Sequence, residues 1–246
     1  MKIALLADIH ANLEALQACL RHSRGNGADR FVFLGDLLGY GADPVACLEI
    51  IAELTDQGAL AVLGNHDEAA LGGLIEQMGF HARDAIYWTR DQLRERDRHF
   101  LAGLPKLVRS GDMLFTHASP DRPDAWTYIT GTRQALPAMQ AGGATYTFVG
   151  HVHQPTLYHA IDGTAGVFHP VPGVSIPLSS RRQWLAIIGS VGQPRDGNNA
   201  AAYAIFDEQA RALTFYRVPY DYLSAARKIR LAGYGEHLAR RLEEGR

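Results

Sequence analysis

The chain has 246 residues, 47% of them hydrophobic, and 24 Lys and Arg against 26 Asp and Glu give a formal net charge of −2. This length suits one large domain or two small ones, with enough apolar residues for a sizeable core, and the charge argues against gripping duplex nucleic acid by bulk electrostatics, which needs a clearly basic face. No apolar run approaches the roughly twenty residues of a membrane span.

In chain order, Ile3 to Ala7 reads as a buried first strand and not a signal peptide, because Asp8-Ile9-His10 follows at once. Asn12 to His22 places Leu13, Leu16 and Leu20 at helical spacing. Phe31 to Leu34 predicts a second strand ending in Gly35-Asp36, and Pro44 to Leu54 a second helix after an Asp-Pro start. A third strand, Leu60 to Leu63, ends in Gly64-Asn65-His66-Asp67. Residues 71 to 104 read as mainly helical, with Ala85, Ile86, Trp88 and Leu93 on one face. Met113 to Thr116 runs into His117, and Tyr146 to Val149 into Gly150-His151-Val152-His153. From Thr156 onward, short segments at 156–158, 166–168, 184–188, 202–206 and 213–218 predict a second, mostly antiparallel sheet. Residues 222–244 form an amphipathic helical tail broken at Gly233-Tyr234-Gly235. Cys19 and Cys47 fall within the helical patterns, too few for a disulfide framework. They fit a core role in a reducing compartment, so the cytoplasm is the expected location, and residues 1–246 are expected to form a single domain of the α/β class.

Five apolar runs thus end in residues that bind metals. In sheets built from strand–helix crossovers, ligands gather at the carboxyl ends of strands. Asp8 and His10 stand two apart at one strand end, and His151 and His153 repeat that spacing, so the residues of each pair are expected to project to the same side. The Asp36 carboxylate can bridge two cations, Asn65 offers a neutral carbonyl oxygen, and His117 a further imidazole. This mixed nitrogen and oxygen set suits Mn, Fe, Zn, Ni or Co better than Mg or Ca. Two such ions clamp an in-line displacement at phosphorus and supply hydroxide near neutral pH. His66, beside a ligand but not needed as one, is the expected general acid for the leaving group.

The blocks Asp8-x-His10, Gly35-Asp36-x-x-Gly39, Gly64-Asn65-His66-Asp67, His117 and Gly150-His151-x-His153, in this order, resemble the calcineurin-like metallophosphoesterases, in particular their small prokaryotic phosphodiesterase-like branch. The resemblance implies a four-layer αββα sandwich, with two central mixed β-sheets flanked by helices. It implies Asp8, His10 and His153 on one metal, Asn65, His117 and His151 on the other, Asp36 bridging, and His66 as the acid. In the phosphoprotein phosphatase branch an Asp and an Arg follow the bridging Asp; Leu38 and Gly39 stand here, which argues against a phosphoprotein substrate and leaves Asp67 as the candidate partner of His66.

The expected activity is hydrolysis of a small phosphodiester or phosphomonoester, nucleotide-like and including dinucleoside polyphosphates, by attack of metal-bound hydroxide. The rivals are a nuclease acting on DNA or RNA ends and a catalytically silent scaffold. The turn-rich segment 189–197 is either a plain hairpin loop or a phosphate grip of free amides with Arg195. Tyr40, Trp88, Trp126 and Tyr128 are candidates for stacking on a base. His81, His99, His159, His169 and His237 are read as bystanders.

Overall fold

The computed structural model describes residues 1–73 and 75–246. In chain order the elements are β1 (Lys2–Leu6), α1 (Leu13–Gly25), β2 (Arg30–Phe33), α2 (Pro44–Asp56), β3 (Leu60–Ala61), α3 (Asn65–Ala70), α4 (Phe80–Gln92), α5 (Glu95–Ala102), β4 (Leu107–Ser110), β5 (Met113–Thr116), α6 (Thr132–Gly142), β6 (Tyr146–Val149), β7 (Thr156–Ile161), β8 (Thr164–Phe168), β9 (Ser175–Pro177), β10 (Gln183–Ile187), β11 (Ala201–Asp207), β12 (Ala212–Val218), α7 (Tyr222–Ala232) and α8 (Glu236–Glu244). Short 3₁₀ turns lie at Ile75–Gln77 and Pro123–Ala125.

The strands form two six-stranded mixed sheets, ordered β3-β2-β1-β11-β12-β9 and β4-β5-β6-β10-β7-β8. Strand alternation explains the layering. Along β1, Ile3 and Leu5 face Phe148, Phe206 and Phe215 between the sheets, while Ala4 and Leu6 face Leu16, Cys19, Cys47 and Ile51 of α1 and α2. In the second sheet, Val149, Leu185 and Ile187 turn outward onto Ala135, Ala138 and Met139 of α6. The order is therefore helices, sheet, sheet, helix, as the resemblance implied. Each large apolar side chain buried between the sheets contributes about 1.5–3 kcal/mol.

Local chemistry sets the helix ends. The Asn12 side chain accepts from Ala15 N at 3.1 Å and caps α1. Pro44 occupies the first turn of α2, where its missing N–H leaves no bond unmade. Gly233, at φ 83°, ends α7 where the break was expected.

The late strands correct one expectation. They do not make a separate sheet: β9, β11 and β12 extend the first sheet beyond β1, and β7, β8 and β10 extend the second beyond β6. β11 pairs antiparallel with β1, and β10 parallel with β6. Alternation reveals that a segment is half-buried, not which strand it will pair with. β4 and β9, of four and three residues, were not anticipated at all.

Candidate metal centre

β1, β2 and β3 run parallel in one sheet, and β5 and β6 run parallel in the other. Stacking the sheets brings Asp8, Asp36 and Asn65 from the first against His117, His151 and His153 from the second. The paired projection at 8/10 and 151/153 does not come from a strand pleat. Asp8, His10, Asp36, His151 and His153 all have left-handed backbones, with φ of 54°, 48°, 50°, 68° and 65°. Such residues cost of order 1 kcal/mol or more each and cluster at functional sites. A hydrogen-bond ladder holds them: Asp8 N to Gly35 O at 3.1 Å, His10 N to Asp36 O at 2.9 Å, and Gly192 N to Asp8 O at 2.9 Å.

Two buried clusters result. In one, the His153 Nε2 lies 3.2 Å from Asp8 Oδ1 and 3.2 Å from His10 Nε2, which is 3.7 Å from Asp36 Oδ2. In the other, His117 Nε2 lies 3.3 Å from Asp36 Oδ2, 3.2 Å from Asn65 Oδ1 and 3.1 Å from His151 Nδ1. Asp36 belongs to both. The ligand-type atoms of each His, Asp group lie within 4.8 Å of one another, the spacing of donors around one ion.

Each imidazole donates its far N–H to a main-chain carbonyl: His10 to Leu38 O at 2.9 Å, His117 to Leu34 O at 2.7 Å, His153 to Gln193 O at 2.6 Å, and His151 to Trp126 O at 2.9 Å. That fixes the tautomer and turns the other nitrogen's lone pair inward. Two inward lone pairs at 3.2 Å repel unless a cation or proton lies between them. Titration reflects the same packing. Burial opposes charge on His117, but the adjacent Asp36 carboxylate outweighs it and raises the imidazole to about 9. A proton there stands among three acceptors, where a metal fits. Burial instead depresses His151 to about 3, with His117 beside it lowering it further against Asp36 and Asp8, and holds His10 well below its ordinary range against the pull of Asp36. The donor set fits a divalent metal.

His66 is buried, and its backbone N–H donates to Asp36 Oδ1 at 2.9 Å. Burial lowers its imidazole to about 4, against the pull of Asp36. Among the described residues its Nδ1 has no hydrogen-bond partner and packs over Gly39, where a Cβ would strike it, which leaves Nε2 as the nitrogen that can serve the cleft His66 helps to line. Asp67 does not orient it. Both Asp67 oxygens are taken by the amides of Leu38 and Gly64, at 3.0 and 2.9 Å, and this carboxylate caps α3. Burial, with Asp36 near, pushes Asp67 up to about 7.

Beside the clusters lies a cleft of about 300 Å³ lined by Tyr40, Asn65, His66, Met78, Trp126 and Tyr128, among others. Tyr128 stacks on His151 at 3.9 Å, and Tyr40 packs against His10 and His66, both at 4.5 Å. Trp88 is elsewhere, packed against Tyr234. Segment 189–197 is not a hairpin loop, because β10 and β11 belong to different sheets. Its amides at Val191, Gly192 and Gln193 are spent on Ala7 O, Asp8 O and Ser190 Oγ, so it is no nest of free amides either. It braces Asp8 and His153 and delivers Arg195, whose Nη2 donates to Tyr40 Oη at 3.3 Å and Gln193 Oε1 at 3.0 Å. Ser190, Gln193 and the Trp126 carbonyl are parts of the centre that residue type did not reveal; only the Gly-Ser turn hinted at the first two.

Residues 1–211 match the calcineurin-like phosphoesterase superfamily domain. The chain belongs to that superfamily. The calcineurin-like chain is 36% identical over 252 residues to an uncharacterised protein of Methanocaldococcus jannaschii, covering 99% of this chain and 98% of the other. It is also similar to a metallophosphoesterase of known structure from Sphaerobacter thermophilus, with 37% identity, a TM-score of 0.89, and 100% and 99% of the two chains covered. A hypothetical protein of Pyrococcus horikoshii shares the fold at 19% identity and a TM-score of 0.81, over 100% and 98% of the chains. This phosphoesterase is a metal-dependent phosphoric ester hydrolase. Among its described residues, no helix is long and apolar enough to cross a membrane.

Proposed function

We propose that the chain acts as one catalytic unit, in the cytoplasm, hydrolysing a small nucleotide-like phosphodiester or phosphomonoester at a centre of two divalent ions. The observation that carries this reading is Asp36 Oδ2, shared by two clusters of inward-facing donors. Asp8, His10 and His153 would hold one ion, Asn65, His117 and His151 the other, and Asp36 would serve both. A pair of transition-metal ions held there, of which Mn is the first to test, would supply a hydroxide nucleophile near neutral pH and charge stabilisation for the displaced oxygens.

The protein's own groups do the rest. Asp8 and Asp36 accept the backbone amides of His151 and His66, so their carboxylates are fixed before an ester arrives. His66 Nε2 faces the open side, and a bound anionic phosphoester raises its affinity for a proton, which it gives to the leaving oxygen. Arg195, whose Nη2 reaches the hydroxyl of Tyr40 on the cleft wall, is the guanidinium nearest to serve a phosphate oxygen. Tyr40 and Tyr128 form the walls against which a flat leaving group can lie.

The test is hydrolysis of bis-p-nitrophenyl phosphate and p-nitrophenyl phosphate by chelator-stripped protein reloaded separately with Mn, Fe, Zn, Ni, Co and Mg. Metal-restored turnover is expected, and the diester-to-monoester ratio then directs the search among nucleotides and dinucleoside polyphosphates. Protein that binds two equivalents yet stays silent on these and on natural nucleotides would establish the scaffold reading instead.

A further inference from the structure

Three of the four histidines in the centre lean on carbonyls of deeply buried residues, Leu34, Leu38 and Gln193. His151 does not. Its Nε2–H donates to the carbonyl of Trp126, a half-buried residue that follows the 3₁₀ turn Pro123–Ala125 and has a left-handed backbone at φ 50°. A surface turn holding a strained residue gives a carbonyl no fixed position unless something anchors it. The anchor is visible. Trp126 Nε1 donates to Glu68 Oε2 at 3.0 Å, while Glu68 Oε1 pairs with Lys106 Nζ at 2.7 Å. Lys106 also bonds Asp124 on the same turn and lies 5.2 Å from the centroid of the Trp126 ring.

Glu68 sits on α3, whose first residue is Asn65. Its carboxylate therefore ties the helix that carries one donor of the second cluster to the turn that orients another. Among the described residues, the Asp8, His10 and His153 cluster has no such link to Glu68 in its hydrogen bonds. We infer that Glu68 is a positioning residue, which through the Trp126 indole sets the carbonyl that aims His151 Nδ1 and so governs occupancy of the second metal position. This rests on the two-ion reading above. The ordinary alternative is a surface ion pair between Glu68 and Lys106 that adds little to stability and leaves metal binding alone.

The experiment is Mn(II) titration of chelator-stripped, full-length protein by equilibrium dialysis, with the melting temperature of each variant recorded beside it. Wild type is expected to bind two equivalents. Glu68→Ala should keep the first and lose about 10- to 100-fold in affinity for the second, the usual effect of removing a group that orients a ligand. Glu68→Gln, which keeps an acceptor for the indole N–H, should recover most of that loss. Trp126→Phe, which removes the indole donor from a half-buried position, should reproduce it, and this variant decides the matter if Glu68→Ala does not fold. Unchanged second-equivalent affinity in Glu68→Ala and Trp126→Phe, or equal weakening of both equivalents, would overturn the inference. A wild type that binds only one equivalent would bring down the two-ion reading, and this inference with it.

Discussion

Asp36 and His66 carry separate loads, and substitution should separate them. Asp36→Asn is expected to abolish metal retention and turnover together, measured as metal content per chain and initial rate; full activity would contradict the bridging role. His66→Gln should bind metal like wild type yet turn over roughly 10²–10⁴-fold more slowly if the imidazole protonates the leaving oxygen. The deficit should shrink for a p-nitrophenolate leaving group, which needs little protonation. An equal deficit on good and poor leaving groups would assign His66 another task. His117 adds a proton ledger: held at about 9 by Asp36, it must lose a proton to accept a metal. Mn(II) affinity should therefore rise with pH up to about 9, with proton release visible by calorimetry in buffers of differing ionisation enthalpy.

At the level of elements, the turns after the strands do more than the strands. A Cβ at Gly64 would overlap the Asp36 amide nitrogen and Oδ1. Gly64→Ala should displace that carboxylate, cost about 1–3 kcal/mol as an overpacked site, and lower metal content in the protein that still folds. Wild-type metal content and stability would mean that the β2 and β3 loops have slack. The strand ends were legible in the sequence because an apolar run that stops at Asp, His or Asn is chemically conspicuous; so were α1, α2 and the broken tail. The sheet assignment of β7 to β12 was not, since period-two patterning marks burial without naming the neighbour. Nor was the backbone strain: Asp8 and His10 project together because their φ is positive, which no residue spacing discloses. Asp67 looked like a partner for His66 because it adjoins it, but its oxygens serve Leu38 and Gly64. Contacts made by main-chain carbonyls, as at Trp126 and Gln193, leave no trace in side-chain identity.

For the whole molecule, the metal-free protein should have a stability maximum near pH 6.5, the ordinary histidine value. His66 at about 4 and His151 at about 3 are depressed by burial, so their contribution is complete above 6.5 and lost as the pH falls. His117 is raised, so its contribution is complete below 6.5 and lost as the pH climbs through about 9. Denaturant unfolding of chelated protein across that range should give a dome with the steeper limb in acid; stability that rises steadily through pH 9 would refute it. Saturating metal at about 100 times its dissociation constant adds roughly 2.7 kcal/mol per site, or about 5–10 °C in melting temperature for one site.

His10 and His153 touch across 143 positions of chain, one from each sheet. During synthesis the amino-terminal half emerges long before its partner, bearing Asp8, His10, Asp36 and Asn65 with nothing to close around. A centre divided in this way is complete only once the stretch through Gln193, whose carbonyl steadies His153, has joined the fold. A chain truncated before β6 lacks His151 and His153 and keeps only part of the donor set, so it is expected to bind Mn(II) far more weakly than the full chain in equilibrium dialysis.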